Sequence, residues 1–238
     1  MMITRKYHWL LALFLVPAAV PETHAQQVNR LWYGQPAEQW TEALPLGNGR
    51  LAAMVFGGTN TERIQLNEET VWAGTRVDDL NPAAKGSLPQ VRNLLFAGRN
   101  QEAYNLVKSA MLGTPPEIRS YQTLGDLFIQ WSDTAGNIAG YVRSLSLDSA
   151  THASWYRREG AATVGAGTRA GQCFISAPAD MLVARYAAGN SRLSGRIMLS
   201  RQKDVKITVS GNRIIMFGQI ADSGHASLKG PEGLHLRF

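Results

Sequence analysis

From residue 31 to the end of the chain, apolar side chains come in short runs or strict alternation, and nearly every run closes at Gly, Asn, Asp or Pro. A period of two sends successive side chains to opposite faces of an extended backbone, and the closing residues are those that turn it. The pattern therefore predicts strands over 31–33, 51–56, 63–66, 127–131, 141–147, 153–157, 173–176, 181–187, 196–199, 205–209, 213–217 and 234–238. The second and third form a hairpin, and Gly211-Asn212 makes a tight turn between two later strands. Strands this short and evenly spaced predict a mostly β chain folded as a β-sandwich. With 45% hydrophobic and 18% charged residues, the chain has apolar mass enough for a packed core.

One stretch, 81–113, breaks the period. Val91, Leu94 and Leu95 follow Pro89, which suits a first helical position, and Gly98 stops that helix. Ala103, Leu106, Val107, Ala110 and Met111 follow Asn100 as N-cap, and Gly113 with Pro115-Pro116 ends the second helix. A two-helix insertion is expected here.

The N-terminus reads as a signal peptide over 1–25. Arg5 and Lys6 precede the apolar run 9–20, which Pro17 interrupts and which is too short to span a bilayer, and Thr23-His24-Ala25 supplies small residues for cleavage after Ala25. Residues 26–238 would then be one domain, secreted or periplasmic, with no membrane span after signal removal. The net charge of +6 is scattered singly, and Arg157-Arg158 is the only adjacent basic pair past the N-terminus, so no nucleic-acid partner is expected. The single cysteine, Cys173, excludes an intrachain disulfide and Cys-rich zinc sites, and reads as a small buried hydrophobe within a strand.

Past the leader, His152, His225 and His235 stand at no metal-ligand spacing, so no metal is expected. Gly47-Asn48-Gly49 and the glycines of 165–171 do not link a strand to a helix as a dinucleotide or phosphate loop must, so no cofactor is expected either. Glu68-Glu69 is the obvious place for paired carboxylates. In an extended stretch the two point to opposite faces, which favours one solvated and one hydrogen-bonding carboxylate over catalysis. Asp78-Asp79 and Asp126 read as turn or cap elements. Trp40, Asn48, Asn67, Glu68 and Trp72 cluster at the ends of the first hairpin strands. Indole faces with amide and carboxylate groups suit sugars, but an aromatic at a strand end is more often a lid on the core.

A longer pattern runs through the same region: Leu31-Trp32-Tyr33, Pro36-Ala37, Trp40, Glu42-Ala43-Leu44-Pro45-Leu46-Gly47-Asn48-Gly49-Arg50-Leu51, then Met54-Val55-Phe56-Gly57-Gly58 and Glu62-Arg63-Ile64-Gln65-Leu66-Asn67-Glu68. Trp72, Gly74, Asn81-Pro82, Tyr121 and Leu124-Gly125-Asp126-Leu127 continue it, with a looser match at 145–148, 174–178 and Arg185-Tyr186. This resembles the N-terminal domain of glycoside hydrolase family 95, the α-L-fucosidases. The resemblance implies a β-sandwich of the super-sandwich type in a secreted, cofactor-free inverting hydrolase that releases α-linked L-fucose, or L-galactose in some relatives, from glycans. The family's catalytic groups belong to an (α/α)6 helical barrel that follows the sandwich, so no residue here is assigned as catalytic. Asn67, Glu68, Trp72, Asn48 and Trp40 stand as substrate-binding or domain-interface candidates, with a fucosylated glycan as partner through the barrel. The small-residue run 160–167, where the family has an aromatic-Arg-Glu stretch, reads as an insertion or a locally shifted reading frame. The expected function is the N-terminal domain of such a hydrolase, as a truncated chain inactive alone. A free-standing carbohydrate-binding module using Trp40 or Trp72 is the alternative, and the product of a broken gene a third reading.

Overall fold

The computed structural model describes residues 29–73, 80–113, 120–160, 167–220 and 235–237. The leader 1–25, Asp78-Asp79, Pro115-Pro116, His225, residues 234 and 238 and most of the run 160–167 lie outside the described residues.

The alternating runs form strands that pair antiparallel throughout, as three sheets with a two-helix insertion. The first has the order β1-β6-β7-β8-β9, from β1 (Arg30–Tyr33), β6 (Ile138–Ser146), β7 (Thr151–Arg158), β8 (Thr168–Ser176) and β9 (Met181–Ala187). The second has the order β10-β5-β4-β3-β2, from β2 (Leu44–Gly47), β3 (Leu51–Val55), β4 (Thr61–Glu68), β5 (Gly125–Trp131) and β10 (Gly195–Ser200). A third holds β11 (Val205–Ser210), β12 (Arg213–Gln219) and β13 (His235–Arg237). The strand β2 was not among the sequence expectations, because Pro45 and Gly47 interrupt its apolar pattern. Pro45 is tolerated because β2 is an edge strand.

The two five-stranded sheets face each other. Leu44, Leu46, Ala53, Val55 and Ile64 from the second sheet pack with Leu145 and Cys173 from the first, and Val55, Ile64 and Cys173 are wholly buried. Full burial of a Val or Ile side chain contributes roughly 1.5–3 kcal/mol. A second cluster of Val71, Ala73, Leu124 and Ile220 closes one end of the sandwich and reaches the first through Leu66. Around β7 the interior is polar. The inward face of β7 is His152, Ser154, Tyr156 and Arg158, all buried, while Ala153 and Trp155 face outward. Glu62 and Arg143 are each 1% exposed. Both are hydrogen-bonded, as buried polar groups require: Glu62 Oε1 accepts from the N–H groups of Gly57, Gly58 and Arg63, and Arg143 donates to the Gln35 and Glu42 carbonyls. Arg158 donates to the Thr59 carbonyl and Asn60 Oδ1. Tyr141 O–H donates to the Gly57 carbonyl. The β3–β4 turn is thus fixed by side chains from the opposite sheet.

The insertion is a helical hairpin of α1 (Ala84–Phe96) and α2 (Asn100–Ala110), packed on each other, with Asn81 Nδ2 donating to the Ala110 and Leu112 carbonyls. Two end assignments are corrected. Pro89 lies inside α1 instead of opening it, because a turn of helix starting at Ala84 precedes it. Arg99, not Asn100, is the N-cap of α2, since Asn100 already has helical geometry and only Arg99 departs from it. Gly98, at φ +73°, ends α1 as expected. No helix among the described residues is long and apolar enough to cross a membrane.

Candidate functional site

Asn67 and Glu68 are the last two residues of β4, not part of a loop after it, because they pair in register with Ala52 and Leu51 of β3. Alternation then separates them. Glu68 continues the inward row of Glu62, Ile64 and Leu66, whereas Asn67 continues the outward row of Arg63 and Gln65.

Glu68 is 7% exposed, and both carboxylate oxygens are engaged. Oε1 accepts from Arg50 Nε at 3.1 Å, and Oε2 accepts from Thr70 N at 2.8 Å and Thr70 Oγ1 at 2.5 Å. Burial pushes its pKa up, but the bonds from Thr70 and Arg50 outweigh it and hold the group below the usual carboxylate range. It is a fixed anion that anchors Arg50, and Glu69 beside it is exposed. Arg50 also reaches Asp180 Oδ2 at 3.2 Å. Asn48, in the β2–β3 turn, accepts from the N–H groups of Arg50 and Leu51 through Oδ1 and donates to Asp180 Oδ1 at 3.0 Å. Asn48, Arg50, Glu68 and Asp180 are therefore one network joining that turn to the β8–β9 turn of the facing sheet.

On the outward side, Asn67 Nδ2 donates to Tyr121 O–H, which donates in turn to the Glu68 carbonyl at 3.0 Å. Asn67 Oδ1 is buried without a partner among the described residues. Trp72 and Tyr121 pair as an isolated antiparallel bridge, with ring centroids 4.9 Å apart and planes tilted by 52°. Trp72 Nε1 donates to the Glu69 carbonyl. The residues on either side of Trp72, Val71 and Ala73, are fully buried in the end cluster. Trp72 and Tyr121 keep 39% and 42% of their surface exposed.

Trp40 stands on a single 3₁₀ turn, Trp40–Glu42, 53% exposed, and its indole N–H donates to Gln65 Oε1 at 2.6 Å. It joins the others only through Gln65, two residues before Asn67 on the same face of β4. The structure thus gathers Asn67, Glu68 and Trp72 around Tyr121, links Asn48 to Glu68 through Arg50, and leaves Trp40 beside Gln65, farther along the outward face of β4. Sequence reasoning missed Arg50, Asp180 and Gln65 as members. Asp180 lies 132 residues from Asn48, with no local signal to connect them.

The family model for the glycosyl hydrolase family 65 N-terminal domain matches residues 31–236. The chain is 31% identical to Alpha-L-fucosidase 2 of Arabidopsis thaliana over 198 residues, which is 79% of this chain and 22% of that protein. It is 30% identical to Probable alpha-fucosidase A of Aspergillus niger over 202 residues, 79% of this chain and 24% of that protein, and 26% identical to Probable alpha-fucosidase A of Aspergillus oryzae over 216 residues, 85% and 26%. The chain spans about a quarter of the length of these relatives. From its antiparallel sandwich and this match over nearly its whole described length, the chain belongs to the family of glycosyl hydrolase family 65 N-terminal domains.

Proposed function

We propose that the chain acts as the N-terminal β-sandwich of a secreted glycoside hydrolase of the family 95 type, which releases α-linked L-fucose from glycans, and that it has no hydrolytic activity by itself. The observation that carries this reading is the identity of about 30% to a plant and a fungal α-fucosidase across four-fifths of the chain. Export is proposed on the basic start, the apolar run and the small residues before Ala25. In this reading the platform of Asn67, Trp72 and Tyr121 bears on the catalytic domain or on a sugar at its mouth, and the network from Glu68 through Arg50 to Asp180 holds that platform rigid. Inactivity alone fits Glu62 and Glu68, whose oxygens are held by backbone N–H groups, Thr70 and Arg50. The exposed rings of Trp40, Trp72 and Tyr121 favour, as a second reading, a module that binds glycan without a catalytic partner.

The test compares the chain alone with the same sandwich fused to a catalytic barrel of the family, on an aryl α-L-fucoside. The chain alone should give no turnover above buffer. In the fusion, Trp72→Ala and Asn67→Ala should each lower turnover about tenfold, equivalent to about 1.4 kcal/mol in the transition state. If these changes lower only the melting temperature and leave turnover per folded molecule intact, the platform merely caps the sandwich. Turnover by the chain alone, abolished by Glu68→Gln, would overturn the proposal.

A further inference from the structure

We propose that the cleft on the outward face of the second sheet, bounded by β4, the start of β5 and the β10–β11 turn, binds one neutral pyranose of a glycan chain. The inference rests on the reading of the chain as part of a glycan-handling enzyme and adds a site that this reading does not contain. The cleft encloses about 420 Å³, within the usual range for small-ligand sites.

The lining groups share one arrangement. Gln65 and Asp126 are register partners across β4 and β5 and point away from the core. The Oε1 of Gln65 is held by Trp40 Nε1, which leaves its amide N–H groups without a partner among the described residues. Gln122 Oε1 accepts from Arg201 at 2.5 Å, again leaving the amide donors available. Asp126 Oδ1 accepts from Arg63 Nε at 2.7 Å, which leaves Oδ2 as an acceptor. Lys203 adds an ammonium with no ion-pair partner among the described residues. Each planar group is fixed by one atom and presents the other, so little side-chain entropy remains to be lost on binding. Two sets of amide donors beside one carboxylate acceptor match adjacent sugar hydroxyls, each of which both accepts and donates. The half-exposed indole of Trp40, hydrogen-bonded to the lining residue Gln65, offers an apolar face for the C–H side of a ring.

The same inventory argues against an anion. The Arg201 guanidinium donates to the Thr123 and Leu124 carbonyls as well as to Gln122, and Arg63 is paired with Asp126 and stacked over Phe56. An incoming anion would meet the Asp126 carboxylate, and of the two cations beside it, Lys203 and Arg201, the Arg201 guanidinium already donates to three neutral oxygens.

The full chain, labelled with ¹⁵N, is titrated in separate arms with methyl α-L-fucopyranoside, methyl α-D-glucopyranoside and inorganic phosphate, and the Trp indole and Gln side-chain amide resonances are followed by NMR. Saturable shifts at Trp40, Gln65 and Gln122 with at least one glycoside and not with phosphate are expected. Asp126→Asn should weaken that binding about tenfold. Lys203→Ala, which removes a side chain with no ion-pair partner among the described residues, should weaken it severalfold at an unchanged melting temperature. Flat titrations with both glycosides, shifts confined to Trp72, or shifts driven by phosphate would overturn the site. If the fused enzyme described above hydrolyses its substrate while these titrations stay flat, the cleft is refuted and the proposed function stands, this face then being one that another protein domain covers.

Discussion

At the scale of single residues, the interior holds two titratable groups with opposite effects. Burial pushes the Glu62 carboxyl up to about 7, against the backbone N–H groups of Gly57, Gly58 and Arg63. An unfolded glutamate titrates near 4.5, so between about 4.5 and 7 the folded state keeps a proton that the unfolded state has released. Stability therefore falls as pH rises through that window. Neither ring nitrogen of His152 has a partner among the described residues, and burial, with the Arg143 charge nearby, pulls its pKa from 6.5 to about 4. Between about 4 and 6.5 the unfolded state binds the extra proton, and stability rises with pH. The two slopes oppose each other from 4.5 to 6.5. Urea unfolding of the wild type should accordingly vary little over that span. Glu62→Gln should uncover a rise of about 3 kcal/mol between pH 4 and 6.5, and His152→Leu a fall of similar size between pH 4.5 and 7. Two variant profiles running parallel to the wild type would show that neither group titrates with folding. None of this was legible in the sequence. In Ala153 to Arg157 the outward residues are Ala153, Trp155 and Arg157 and the inward ones, Ser154 and Tyr156, are polar, so apolar side chains face out where the usual rule puts them in, and the facing sheet supplies the partner that makes this tolerable for Tyr156.

At the scale of elements, legibility followed period. The hairpin of β3 and β4 and the later strands were readable because each alternates against a turn. The run through Asn67 and Glu68 was cut short because a pair of polar residues looks like a loop until Leu51 and Ala52 are seen to pair with it. Asn48 and Asp180 meet only because β9 follows β8 back across the sandwich. The helical hairpin was legible as a change of period, but not at its ends. Pro89, with no N–H for the Lys85 carbonyl, weakens α1 from within, whereas Gly98 ends it in a left-handed conformation with open space around its α-carbon. Pro89→Ala should therefore stabilise the hairpin by about 1–3 kcal/mol and Gly98→Ala destabilise it by about 1 kcal/mol. Hydrogen exchange of the α1 amides measures both, and equal protection in the two variants would contradict this account.

At the scale of the whole molecule, two sheets close over an interior that is apolar along the middle of β4, at Ile64 and Leu66, and polar at its two ends, at Glu62 and Glu68, and Cys173 sits where the sheets meet. It is wholly buried, hydrogen-bonded to Tyr186, and burial pushes its thiol up to about 11, so at neutral pH it is protonated as well as enclosed. As the only sulfhydryl in the chain, it makes the protein its own stopwatch. A disulfide-forming dye in excess can react only after the sheets have parted, so colour should develop at the rate of global unfolding, independent of dye concentration once reaction outruns reclosing. Fraying of the helical hairpin should leave that rate unchanged. A plateau rate faster than global unfolding measured independently would mean that the seam between the sheets opens without the rest.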